Sequence, residues 1–297
     1  MTVSGAPPRV GFVAGDGTVV VWRAGEPVVL GRVESDHRYR AFETRAGIYV
    51  AASGGRGHLM TWDGATRRLP VDLGFRPVRS ADGRYLAGVQ MRTGRRPWDQ
   101  VHLFDVTTEE LRSLPKSGNL TRHVLDIHDG AVHFFTRPGG GTFTTSRWVP
   151  GREPLELASP VHRLDPLSGA TVREEAEGPT AFTASGERRQ TMGTPPGRFV
   201  PGGASVYSFR HNGPTVVLLD LATGTTTEHP LPAGCEVGET PPFAPIWETP
   251  ETLVFSQPHH VSTHRIIRWH LRSGVFEHFD VPEIAGYRPF PIEPMLT

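Results

Sequence analysis

RVGFVAGDGTVVVWRAGEPVVLG, from Arg9 to Gly31, holds three short apolar runs separated by GDG and by RAGE. Runs of this length, rich in Val and Phe and bounded by Gly and Asp, read as β-strands joined by tight turns. The question the stretch raises is one of number. Other segments of the chain have four such runs per unit, and this one has three.

The unit shows as two interleaved series. A bulky residue near the end of a strand recurs as Trp22, Trp62, Phe104, Trp148, Phe182, Leu219 and Trp269, at intervals of 34 to 50 residues. A second anchor precedes the next such strand, at Phe42, Val78, Val124, Leu164, Val200, Ile246 and Phe290, at intervals of 36 to 46. Turn signals fall every five to ten residues, and no amphipathic helix of two turns interrupts them. Two series of seven at about forty residues predict seven units of four strands, an all-β, seven-bladed β-propeller built as a single domain over residues 1–297. The fourth strand of the first unit is then supplied by YRPFPIEP, residues 287–294, so that the C-terminal strand closes the ring and covers two open edges. Unit five, about Val161 to Gly193, has polar third and outer strands, which leaves six blades as the alternative count.

SADGRYLAGV (80–89) and LLDLATGTT (218–226) resemble the repeats of the TolB-like and WD40-like bacterial propellers. The resemblance covers the whole chain as an architecture and implies a binding platform without naming a ligand. The Gly-His and Trp-Asp pairs of typical WD40 repeats are missing, apart from Trp62-Asp63. TolB-type proteins are exported, whereas the opening residues here lack the pattern of a charged segment followed by an apolar one.

Composition narrows the classes. Formal net charge is zero, which argues against a nucleic-acid partner for the molecule as a whole. Lys116 is the only lysine among 31 basic residues. With Cys235 as the single cysteine, no internal disulfide forms. No apolar run approaches membrane-spanning length, so no membrane partner is expected. The expected location is the cytoplasm.

Chemistry is then sought on the faces of the ring. The loops joining outer to next inner strand, and second to third, open on one face, the top. They are longer and more varied than the bottom turns, and such loops commonly carry binding residues. Two residues before the anchors of the innermost strands stand Arg40, Arg76, Arg122, His162, Arg198, Ala244 and Arg288. As a ring of guanidiniums at the channel mouth they suit carboxylate or phosphate; as braces they would bond loop carbonyls and acids of neighbouring blades. Arg95, Arg96 and Trp98 in the loop 91–100 add contact residues, and His259 and His260 form part of an HHxxxH run in the loop 257–263. That run is not helical, so it does not predict a metal site. No GxSxG elbow or P-loop lysine occurs. The function expected first is a propeller that binds an acidic peptide, protein or anionic metabolite on its top face without cofactor or metal. The alternative is a biosynthetic lyase, isomerase or cyclase that uses the same face with a histidine as acid or base.

Overall fold

The computed structural model describes residues 2–4, 11–14, 16–34, 38–52, 56–74, 76–118, 120–138, 142–191, 197–209, 215–231, 246–257, 265–280 and 290–295. Among the described residues all regular structure is strand, and no helix forms. The strands make seven four-stranded blades in a ring. Blade 5 is complete, with Val161–Leu164, Thr171–Glu175, Gly178–Phe182 and Arg188–Thr191, so the six-bladed count is excluded. Its outer strand is polar because it faces solvent rather than because the blade is missing.

Blade 1 closes as the strand count requires. Phe290–Glu293 lies antiparallel to Phe12–Val13, with Phe290 opposite Val13 and Pro291 opposite Phe12. The same segment runs parallel to Arg38–Thr44, the inner strand of blade 2, which joins blades 1 and 2 into one eight-stranded sheet. A second tie was not foreseen. Thr2–Ser4 adds a parallel fifth strand outside Val275–Asp280, the outer strand of blade 7. Its three residues, TVS, carry no alternation that would announce a strand.

The bulky series behaves as its spacing implies. Phe104, Trp148 and Trp269 are almost fully buried on third strands. Trp62 departs from it: the strand His58–Met60 has ended, the indole sits in the following bottom turn, and it is 40% exposed. Blade 3 consists of Val78–Arg79, Tyr85–Arg92, Trp98–Asp105 and Leu111–Ser113. Its top loop adds a short strand, Ser117–Gly118, beside Trp98 and Asp99. Blade 4 consists of Leu120–His128, Ala131–Pro138, Thr144–Trp148 and Leu155–Glu156. Under blades 2 and 3, Gly83 lies at φ +71°, in the left-handed region that favours glycine, and a Cβ there would also displace the Met295 side chain.

Candidate functional site

Inner strands place their residues beside the channel, and the acids met there decide what each arginine does. Arg40 of blade 2 donates to Glu293 of blade 1 at 3.0 Å and to the Pro77 carbonyl of blade 3 at 3.2 Å. Its guanidinium also lies over the Phe42 ring. Arg122 of blade 4 sits with Nε 3.6 Å from Asp99 and donates from Nη1 to the Pro115 carbonyl, both groups of blade 3. The Asp99 carboxylate also accepts the Arg122 backbone N–H. Burial pushes the Asp99 carboxyl up, against the pull of Arg122. Arg40 and Arg122 therefore tie blade to blade. Arg198 lies on the inner strand of blade 6, opposite Tyr207, and is half-buried. Arg76 is exposed at the entry to blade 3. Arg288, His259 and His260 lie outside the described residues.

Within the channel a charged group appears that the arginine register did not point to. Arg79, next to the anchor Val78, is buried and donates to the Pro294 carbonyl at 2.7 Å, with Glu293 at 3.7 Å. Glu43 accepts the Met295 N–H at 3.3 Å. Asp126 faces this cluster, and burial, with Glu293 and Asp165 nearby, pushes its carboxyl up to about 8. The segment after Glu293 is thus pinned from both sides by groups far away in sequence.

The top of blades 3 to 5 has a different character. His123 stacks on Phe135 at 4.8 Å between centroids; Phe135 meets Phe143 at 5.9 Å, and Phe143 meets His162 at 5.0 Å. This row of half-buried rings crosses from blade 4 to blade 5. At its far end His162 Nε2 pairs with Glu174. Burial, and then the charge of Arg76, hold the His123 imidazole below its ordinary value. On the blade 3 side, the Lys116 ammonium lies 4.2 Å above the Trp98 ring.

Arg92, Arg95, Arg96 and Arg137 are exposed around this region and make no ion pair among the described residues. The bottom face differs. There Arg45 pairs with Asp82 at 2.7 Å, Arg84 with Asp105 at 2.8 Å, Arg67 with Glu109 at 2.9 Å and Arg272 with Glu251 at 2.5 Å. Among the described residues these bottom pairs are compensated, with Arg23 and Arg152 exposed outside them, and exposed cations gather above blades 3 and 4. Among the described residues no cluster of His, Cys, Asp or Glu has the grouping of a metal site.

No known family model and no curated protein matches the sequence. Solved structures do match in fold. TolB from Acinetobacter baumannii superposes with a TM-score of 0.54 and 12% identity, over 98% of this chain and 68% of that one. An oligogalacturonate lyase from Vibrio parahaemolyticus gives 0.59 and 12%, over 86% and 85%. An oligogalacturonate lyase in complex with manganese gives 0.58 and 11%, over 82% and 80%. At such identities the likeness concerns fold alone. The chain is a seven-bladed propeller with the fold of TolB-like proteins.

Proposed function

We propose that the protein binds a carboxylate-bearing partner, an acidic peptide, protein or anionic metabolite, on the top of blades 3 to 5. The observation that carries this reading is the group of exposed arginines, Arg92, Arg95, Arg96 and Arg137, which lack ion-pair partners among the described residues, whereas Arg45, Arg67, Arg84 and Arg272 on the bottom face have them. Guanidiniums brought together on a rim repel one another, and an anion that bridges them relieves that repulsion. Trp98 and the ring row give the same region half-buried flat surfaces that favour a ligand with an apolar face. Arg76 and His162 border the row, and Arg198 stands further round the channel.

Calorimetry with penta-glutamate and with trigalacturonate tests this. Binding at low salt should weaken about tenfold in Arg95→Gln/Arg96→Gln, the loss of roughly 1.4 kcal/mol. Unchanged affinity in that variant, or no binding of either probe, overturns the site.

One observation favours a second reading as an enzyme. His162 is held by Glu174, and a carboxylate-oriented imidazole beside a cationic rim is an arrangement for removing a proton next to a carboxylate. His162→Ala should then abolish conversion of trigalacturonate to an unsaturated product while leaving its binding within about threefold. Absence of product from the unaltered protein ends this second reading and leaves the first intact.

A further inference from the structure

Strand register shows which charges and which rings share a wall. In blade 4, Thr121 stands opposite Arg137, His123 opposite Phe135, and Phe135 opposite Thr145. One step beyond the last pair of that register, Phe143 comes level with Arg137. Side chains alternate across a sheet, so Thr121, His123, Phe135, Arg137 and Phe143 lie on one face. Val132 and Phe134, at the alternate positions, enter the apolar cluster with blade 3. The face that carries Arg137 therefore looks toward blade 5. Blade 5 turns Ala170, Val172 and Ala181 toward blade 6, and at the alternate positions Thr171, Arg173, Glu175 and Phe182 toward blade 4. In blade 3, Arg92 and Trp98 stand opposite each other and in step with Leu86 and Phe104, which pack toward blade 2. They belong to the other side of that hairpin, and Arg95 and Arg96 to its tip. Arg137 is thus the exposed arginine that shares a wall with the rings.

The rings are placed unlike the other phenylalanines that pack between blades. Phe135 and Phe143 belong to none of the six buried apolar clusters among the described residues. Both are half-buried, as are His123 and His162, so the row keeps ring surface open at the top of the joint. Apolar surface left in water is covered at a gain when a ligand lies on it. Burial, and then the charge of Arg76, hold His123 below its ordinary value, so at pH 7 it is a neutral flat ring. The two ends of the row differ in sign. At the blade 4 end stands Arg137, exposed and without an ion pair among the described residues. At the blade 5 end His162 pairs with Glu174, and Glu175 is half-buried on the wall that faces blade 4.

We propose that the ring row is a binding site for a planar aryl carboxylate of single negative charge, with its ring along Phe135 and Phe143, its carboxylate on Arg137 and a hydroxyl or amino donor directed at Glu174 and Glu175. The proposal rests on the reading of this face as an anion site and names the ligand for this part of it. A guanidinium takes a carboxylate through two parallel N–H donors. A flat ring extends the row by the offset and edge contacts that the four rings already make, which a puckered ring does not. Carboxylates accept from O–H and N–H and repel a second negative charge. Glu174 and Glu175 therefore select against dicarboxylates by repulsion, while Arg137 selects for one carboxylate by attraction. An acidic peptide is met by Arg92, Arg95 and Arg96 instead, away from those two acids.

Calorimetry of the full chain at pH 7 with 4-hydroxycinnamate tests the site. Three further probes each change one feature: 4-hydroxycinnamamide removes the charge, 3-(4-hydroxycyclohexyl)propanoate the flat ring, and 4-carboxycinnamate replaces the donor with a second charge. 4-Hydroxycinnamate should bind, and each of the three should bind about tenfold more weakly or worse. Arg137→Gln and Phe143→Leu should each weaken 4-hydroxycinnamate about tenfold. Arg137→Gln alters an exposed residue and carries the test if Phe143→Leu does not fold. Arg95→Gln/Arg96→Gln, expected to weaken penta-glutamate, should leave 4-hydroxycinnamate within about threefold. No binding of 4-hydroxycinnamate, equal binding of the cyclohexyl compound or of the dicarboxylate, or an affinity unmoved by Arg137→Gln each overturns the site. So does an equal loss in Arg95→Gln/Arg96→Gln, which would put the ligand on the tip of the blade 3 hairpin. Penta-glutamate bound without 4-hydroxycinnamate refutes this site and leaves the broader reading. 4-Hydroxycinnamate bound with the expected pattern, but neither penta-glutamate nor trigalacturonate, refutes the broader reading and supports this site.

Discussion

Arg40 and Arg95 show how little a residue type says about its task. Both are arginines assigned to the top face by sequence, yet Arg40 is held by Glu293 and Pro77 while Arg95 is exposed. Arg40→Gln should cost about 1.5–3 kcal/mol of stability in urea melts, as expected for charged hydrogen bonds. Arg95→Gln should stay within about 0.5 kcal/mol in the same melts. A clear drop for Arg95 would reverse the assignment. Titration adds a second prediction. His102 and His133 are neutral in the fold, with values near 4 against 6.5 when unfolded, so their contribution is lost as pH falls below 6.5. Asp126 is raised from 3.8 to about 8, so its contribution is lost as pH rises toward 8. Between pH 4 and 6.5 two histidines gain while one aspartate loses, and above 6.5 the aspartate acts alone. For these groups together the melting temperature should peak near pH 6.5. Asp126→Asn should raise it far more at pH 8 than at pH 4.5; no difference at pH 8 would refute the role given to Asp126. The register of the arginines was legible in the sequence because it repeats with the blade. Their partners were not, because Glu293 lies 253 residues from Arg40 and Asp99 lies 23 from Arg122, and no local pattern links them.

Strands tell a similar story one level up. The closing strand Phe290–Glu293 was legible because the first unit lacks a strand and the anchor series ends at Phe290. Thr2–Ser4 was not, since its pairing is a matter of proximity across the ring rather than of pattern. The two ties should differ in weight. Deleting 290–297 strips the inner strand from blade 1 and releases the parallel pairing to blade 2, so cooperative unfolding should be lost or the protein should aggregate. Deleting 1–4 removes an outer strand of three residues and should lower the melting temperature by only a few degrees. A 290–297 deletion that melts as sharply and as hot as the full chain would refute the closure. Blade 5 was marked in the sequence as polar, which was correct, but the six-bladed count drawn as the alternative was not. Its inward polarity belongs to the joint with blade 4, and a single strand's composition cannot reveal which neighbour it faces.

At the scale of the molecule, the two faces differ in how their charges are met. Bottom pairs such as Arg45–Asp82 and Arg84–Asp105 are satisfied internally, whereas the top of blades 3 and 4 presents positive charge to solvent. Binding of an acidic probe should therefore weaken several-fold between 20 and 200 mM salt, as expected when screening shortens from about 20 Å to below 10 Å. Affinity unmoved by salt would point to a contact of another kind. The ring's closure has a further consequence, one of time. Phe12 pairs with Val20 within the first unit, but its inner neighbour is Pro291, so the first of the seven units to emerge during synthesis is the last to be completed. Until residue 290 appears, Phe12 and Val13 have no inner neighbour, and six later units are made while that edge stays open. Such long-range pairing is slow and exposes the nascent chain to association with other chains. The order of the strands thus leaves one β edge unpaired through most of translation.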